Sequence, residues 1–181
     1  MHGLEELIAG RVTPGVYRWE IEPDELFRTA KKPSGLTRTP EGRLALPLAM
    51  GGGHADVEMP PWLRDAEDTG WEVFGIGPAR TKEDFLAAAG EILEFPDYYG
   101  QNWDAFYDLL TDMDWLPADK GYLVVWPGWK ELADADRPAF ETALEIFADA
   151  ADAWSESETP MIVLLPGGDG DGAIKDLERL P

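Results

Sequence analysis

The sequence contains no cysteine, which excludes disulfide staples, thiolate zinc sites and a cysteine nucleophile together. Cysteine-free chains suit a reducing compartment, and the cytoplasm is the expected location. Histidine is scarce: His2 and His54 stand far apart, so neither a histidine metal pair nor a histidine-centred catalytic dyad is expected. Bases are also few, with 15 Lys and Arg against 36 Asp and Glu and a net charge of −21. A nucleic acid or an anionic membrane surface is therefore a poor direct partner. No apolar run approaches a membrane span, and Glu5 and Glu6 occupy the place where a signal peptide needs bases. Neither insertion nor export is expected.

Core material is ample. The 181 residues are 44% hydrophobic and 11% aromatic, with eight tryptophans, which fits one ordinary globular domain. The acidity is uneven: residues 1–80 hold 13 acids and 9 bases, whereas residues 81–181 hold 23 acids and 6 bases. Any functional field sits in the C-terminal part, and the partner it attracts is cationic.

Residues 20–70 are the least regular stretch, broken by Pro33, Pro40, Pro47, Pro60, Pro61 and the glycines at 51–53. Residues 1–70 therefore read as an irregular N-terminal extension, with short edge strands possible at Val16, Tyr17, Arg18 and Trp19 and at Leu44, Ala45 and Leu46. Beyond residue 70 the pattern becomes periodic. Strands are predicted over 71–76, 122–126 and 161–165, and helices over 81–93, 101–113 and 138–154. Thr81 reads as an N-cap and Pro138 as a first-turn residue. Strands separated by helices imply an α/β fold with a small parallel three-stranded sheet and helices packed on it. Residues 71–166 form this domain, and 167–181 an acidic C-terminal tail.

Two motif-like segments carry little. Gly75, Ile76 and Gly77 lie between a strand and a helix like a dinucleotide loop, but Arg80 holds the third glycine position. Residues 167–178 place Asp169, Asp171, Gly172 and Glu178 at calcium-loop positions, yet Gly167 stands at the first ligand and a strand, not a helix, precedes it. No cofactor and no metal are expected.

The informative stretch is 95–113. Asp104, Asp108 and Asp112 recur every fourth residue, and at helical pitch such positions climb one side of the helix, each a little further round than the last. Phe106, Leu109, Leu110 and Met113 gather on the opposite side. The carboxylates form a stripe facing away from the core. A turn with the aromatics Tyr98, Tyr99 and Trp103, read as exposed, precedes it, and Tyr107 flanks the stripe on the side away from Asp112. No base occurs from Phe95 to Trp115. An acid stripe with an aromatic shoulder suits a basic cleft on another protein.

At these residues the sequence resembles the barstar family of ribonuclease inhibitors. The shared pattern is an apolar residue, Pro96, Asp97, Tyr98, Tyr99, Gly100, then Asn102, Asp104, Ala105 and Asp108, followed at matching distances by the strand ending in Trp126, by Trp129, a helix and a last strand. The resemblance covers about residues 71–166. Pro14 to Trp19, with Asn102, Trp103 and Asp104, looks like the actinobacterial subgroup of that family.

The resemblance implies that Tyr98, Gly100, Asn102, Asp104, Tyr107 and Asp108 line a ribonuclease-binding surface, with Asp149 as a peripheral acid. Trp103 joins that surface, standing where the family has a smaller aliphatic, and Tyr107 stands where it has a tryptophan. It further implies an intracellular inhibitor, not an enzyme, forming a 1:1 complex with a basic extracellular-type ribonuclease and monomeric when free. Asp108 and Asp104 would take the place of substrate phosphate. Two alternatives compete: an acidic interaction or immunity module of the same fold serving another basic toxin or regulator, and an enzyme using Asp104 and Asp108 as a carboxylate pair. The enzyme reading is weak, because one-turn spacing on a protruding stripe builds no concave pocket. Since the matched surface begins beyond Trp71, removal of residues 1 to about 65 is expected to leave inhibition largely intact.

Overall fold

The structure, a computed structural model, describes residues 2–21, 37–38, 44–45, 61–167, 172–174 and 176–180. The prolines and glycines of residues 22–60, His54, and Asp169 and Asp171 of the calcium-loop-like segment lie outside the described residues.

The chain runs α1 (His2–Ile8), β1 (Gly15–Trp19), β2 (Thr37–Arg38), β3 (Leu44–Ala45), α2 (Pro61–Thr69), β4 (Trp71–Gly75), α3 (Lys82–Ile92), α4 (Trp103–Asp112), β5 (Gly121–Val125), α5 (Trp129–Ala135), α6 (Arg137–Trp154), β6 (Met161–Pro166) and β7 (Glu178–Arg179). All the pairings in the main sheet are parallel, and its strand order is β4-β5-β6-β1-β7. The two short strands β2 and β3 pair antiparallel on their own. Among the described residues no helix is long and apolar enough to cross a membrane.

Strands β5 and β6 are buried at every position, as befits a parallel sheet covered on both faces. Alternate side chains build two cores. Phe74, Tyr122, Val124, Met161, Val163 and Leu165 face α3, α4, α5 and α6. Trp71, Val73, Leu123, Val125, Ile162 and Leu164 face the other way, where Leu4 and Leu7 of α1, Trp62, Leu63 and Ala66 of α2, and Tyr17 and Trp19 of β1 close over them. Trp71 Nε1 donates to the Ile8 carbonyl at 3.1 Å, and Trp19 meets Trp62 edge-on at 5.4 Å between centroids. These contacts anchor the N-terminal segments across the sheet.

The three strands predicted beyond residue 70 are β4, β5 and β6, but the sheet has five strands, not three. Strand β1 lies between β6 and β7 rather than at an edge, registered Gly15 to Ile162 and Trp19 to Pro166. A strand's apolar alternation marks its faces, not its partner, so this long-range pairing was not visible in the pattern. Helices α1, α2 and α5 also went unforeseen. Each has nine residues or fewer, short of the window over which helical periodicity is readable. Where the acidic tail is described it is packed, not free. Ile174 is buried in the first core, Leu180 packs on the second, and the Leu180 N–H donates to the Arg18 carbonyl at 2.9 Å.

Candidate functional site

Helix α4 begins where Asn102 breaks from extended backbone and its side-chain oxygen accepts the Ala105 N–H at 2.8 Å. That bond satisfies one of the helix's unpaired amides. Asp104 follows in the first turn, where the positive end of the helix dipole favours a carboxylate. At the far end Met113 adopts φ 54°, a left-handed C-cap, and buries its side chain. Phe106, Leu109 and Leu110 are buried, while Asp104, Asp108 and Asp112 are exposed. The helical phase expected from the sequence is the phase observed. Among the described residues no ion pair or hydrogen bond engages the Asp104 or Asp108 carboxylates. They form an unneutralised acidic row. Asp112 differs: partial loss of hydration, followed by the like charge of Asp114 nearby, raises its pKa above the ordinary carboxylate value.

The turn before the helix divides its aromatics. Tyr98 is 75% exposed and Tyr107 is 37% exposed, the large apolar side chains left open on this face. Tyr99, expected beside them, instead turns inward. Its hydroxyl donates to the Leu86 carbonyl at 3.1 Å, and its ring meets Phe95 edge-on at 4.8 Å. A Cβ on Gly90 would stand 2.6 Å from Tyr99 Cε1, so glycine at 90 makes room for the ring. Tyr99 therefore clamps the turn to α3, leaving Tyr98 projected.

Burial pushes the Tyr99 phenol up to about 12 from 10.0. The folded state thus holds this proton more tightly than the unfolded chain. Stability contributed by the neutral clamp is fully present below pH 10, and it falls as pH rises from 10 towards 12. We expect Tyr99→Phe to flatten that alkaline loss in thermal melts recorded across pH 9 to about 12. An unchanged slope would show that the clamp does not couple to folding.

Trp103 was expected on the exposed shoulder, but it is only half exposed. Its ring centroid lies 5.9 Å from Phe85 and 6.3 Å from Phe106, and it packs against the first core. The signal was present in the sequence, because the residue just before Asp104 falls on a helix beside the apolar arc of Phe106 and Leu110. Gly100 is exposed, and a Cβ there would meet Asn102 Nδ2 at 2.9 Å, so it leaves space for the capping side chain. Asp149 is exposed on α6. That helix braces α4 through Trp154 Nε1, which donates to the Leu110 carbonyl at 3.0 Å, and through the Phe106 and Phe147 rings at 5.6 Å. The structure thus brings Tyr98, Gly100, Asn102, Asp104, Tyr107 and Asp108 to one turn and the helix it feeds, with Asp149 on the adjoining helix.

One residue escaped the sequence reading. Lys82, the first residue of α3, places its ammonium 5.7 Å from the centroid of the Trp103 ring. Its signal was its isolation, since no other base occurs in residues 81–119.

No curated protein matches the chain. The family model for Barstar (barnase inhibitor) matches residues 74–166, from β4 through the whole of β6. The matched segment holds the last two residues of β4, all of β5 and β6, and the helices of the first face with the acidic α4 among them, and it makes up just over half of the 181 residues. With that span matched and its parallel α/β architecture in place, the chain belongs to the barstar family of barnase inhibitors.

Proposed function

We propose that this protein inhibits a basic ribonuclease by covering its active site with α4. A ribonuclease cleft is lined with cationic groups that bind the scissile phosphate, and a carboxylate held in that cleft takes the phosphate's place. Asp108, one turn into the exposed row, accepts charge-assisted hydrogen bonds from those groups, and Asp104 accepts a second set. Tyr98 and Tyr107 supply apolar contact around them, and Asp149 adds charge at the rim. Substrate is excluded without any reaction. The complex is 1:1, and the inhibitor acts in the cytoplasm.

The observation that carries this reading is the unneutralised Asp104 and Asp108 pair on the outer face of a helix inside the family-matched segment. The test is titration of barnase activity with the purified protein, followed by stopped-flow association at graded salt. Inhibition at stoichiometric amounts is expected. Association should slow steeply as the Debye length shrinks from about 30 Å at 0.01 M to about 3 Å at 1 M, with dissociation much less affected. A salt-independent association rate would remove electrostatic steering from the mechanism. Barnase left fully active would point to a different basic partner.

A further inference from the structure

The acidic row is fully provided for by α4 itself, but one contact on this face is not explained by fold or charge. Lys82 opens α3, where the helix dipole disfavours a cation. The N-terminus is already capped without it, since Thr81 Oγ1 accepts the Asp84 N–H at 3.1 Å. Among the described residues the Lys82 ammonium makes no ion pair, although Glu83 and Asp84 follow it directly. What it meets is the Trp103 ring, 5.7 Å away. Phe85 and Phe106 contact the same indole, so the ring is held between the core and a cation. A cation over an indole face is attracted by the ring's quadrupole.

We infer that Lys82 is a positioning residue of the partner-binding face, fixing the Trp103 indole at the entry of α4 beside Asp104. This rests on the function proposed above. Trp103 is the first residue of α4 and directly precedes Asp104, so the place of its ring shapes the surface where the acidic row begins. A lysine on a face meant for a basic partner slows encounter. That cost is offset by what it does to the ring once the partner is docked. The face therefore combines a steering field with one opposing charge used as a fastener.

The test uses the full chain. In the free protein, the indole N–H resonance of Trp103 is assigned by its loss in Trp103→Phe. Lys82→Met should move that resonance and Lys82→Arg, which keeps the cation over the ring, should return it towards its original place. With barnase, dissociation should be about two- to tenfold faster for Lys82→Met and near the original rate for Lys82→Arg. In a Trp103→Leu background, Lys82→Met should make no further difference to dissociation. Equal dissociation rates for the Arg and Met variants, or the same acceleration in the Trp103→Leu background, would overturn the assignment. Failure of the unsubstituted protein to bind barnase would overturn the functional reading instead, while the indole resonance still decides the contact.

Discussion

Asp108→Ala should weaken the ribonuclease complex by on the order of 3 kcal/mol or more, mostly through faster dissociation. That is the general range for a buried, hydrogen-bonded charge pair, to which complexes of this family themselves contribute. The free protein should be little changed, within about 0.5 kcal/mol, because Asp108 is exposed and one turn from the like charge of Asp104. The asymmetry arises because the carboxylate is solvated when free, whereas in the complex its removal strands the partner's cations away from water. Asp108→Asn should recover little, since an amide keeps the shape without the charge. Asp112→Ala is the control. It lies a further turn along, exposed and outside the residues the family resemblance implicates, so its loss should change the dissociation constant less than about fivefold. Calorimetry showing equal losses for Asp108 and Asp112 would reduce α4 to a diffuse acidic surface.

Removing residues 1 to about 65 should abolish cooperative folding rather than spare inhibition, a reversal of what the sequence alone led us to expect. The deleted segment supplies β1 and α1, together with Trp62 and Leu63 from α2. Without them Val73, Leu123, Val125, Ile162 and Leu164 face water, and β6 loses a neighbour along five of its six residues. A milder probe is Trp19→Ala, which should cost about 3 to 5 kcal/mol by opening a cavity under the second core. For a chain of this size that is roughly 10 °C in melting temperature. Below its melting point the variant should hold ribonuclease nearly as well, because Trp19 and α4 lie on opposite faces of the sheet. A truncated protein that melts cooperatively at the original temperature would contradict this account.

The main helices were readable because each carries its own instructions. Thr81 caps α3 as its spacing with Asp84 suggests, and the acids and apolar residues of α4 fall on opposite sides of one helix. Burial along β5 and β6 was written in unbroken apolar runs. What stayed hidden depends on residues distant in sequence. Tyr98 and Tyr99 are neighbours of one type in an aperiodic turn, and the room that lets Tyr99 turn inward is left by Gly90 on another element. Asn102 could be read as a contact residue, but its capping bond appears only once the helix start is fixed. The contact of Lys82 with Trp103 joins two helices, and no local pattern announces it.

The pairing of β1 with β6 also dictates an order of assembly. The partner of Gly15 is Ile162, about 147 residues later, and ribosomes add roughly 5 to 20 residues per second. The first strand therefore waits several seconds to half a minute for its partner to be synthesised. Helix α4 is made well before β6, so the acidic face exists as a sequence before the sheet that shapes it can close. The central strand β6 joins β1 to β5, so the sheet, and the two cores on its faces, can be completed only after β6 has been made. A ribosome stalled before residue 161 would thus carry a chain with every acid of α4 and no β6 for β1 and β5 to pair with.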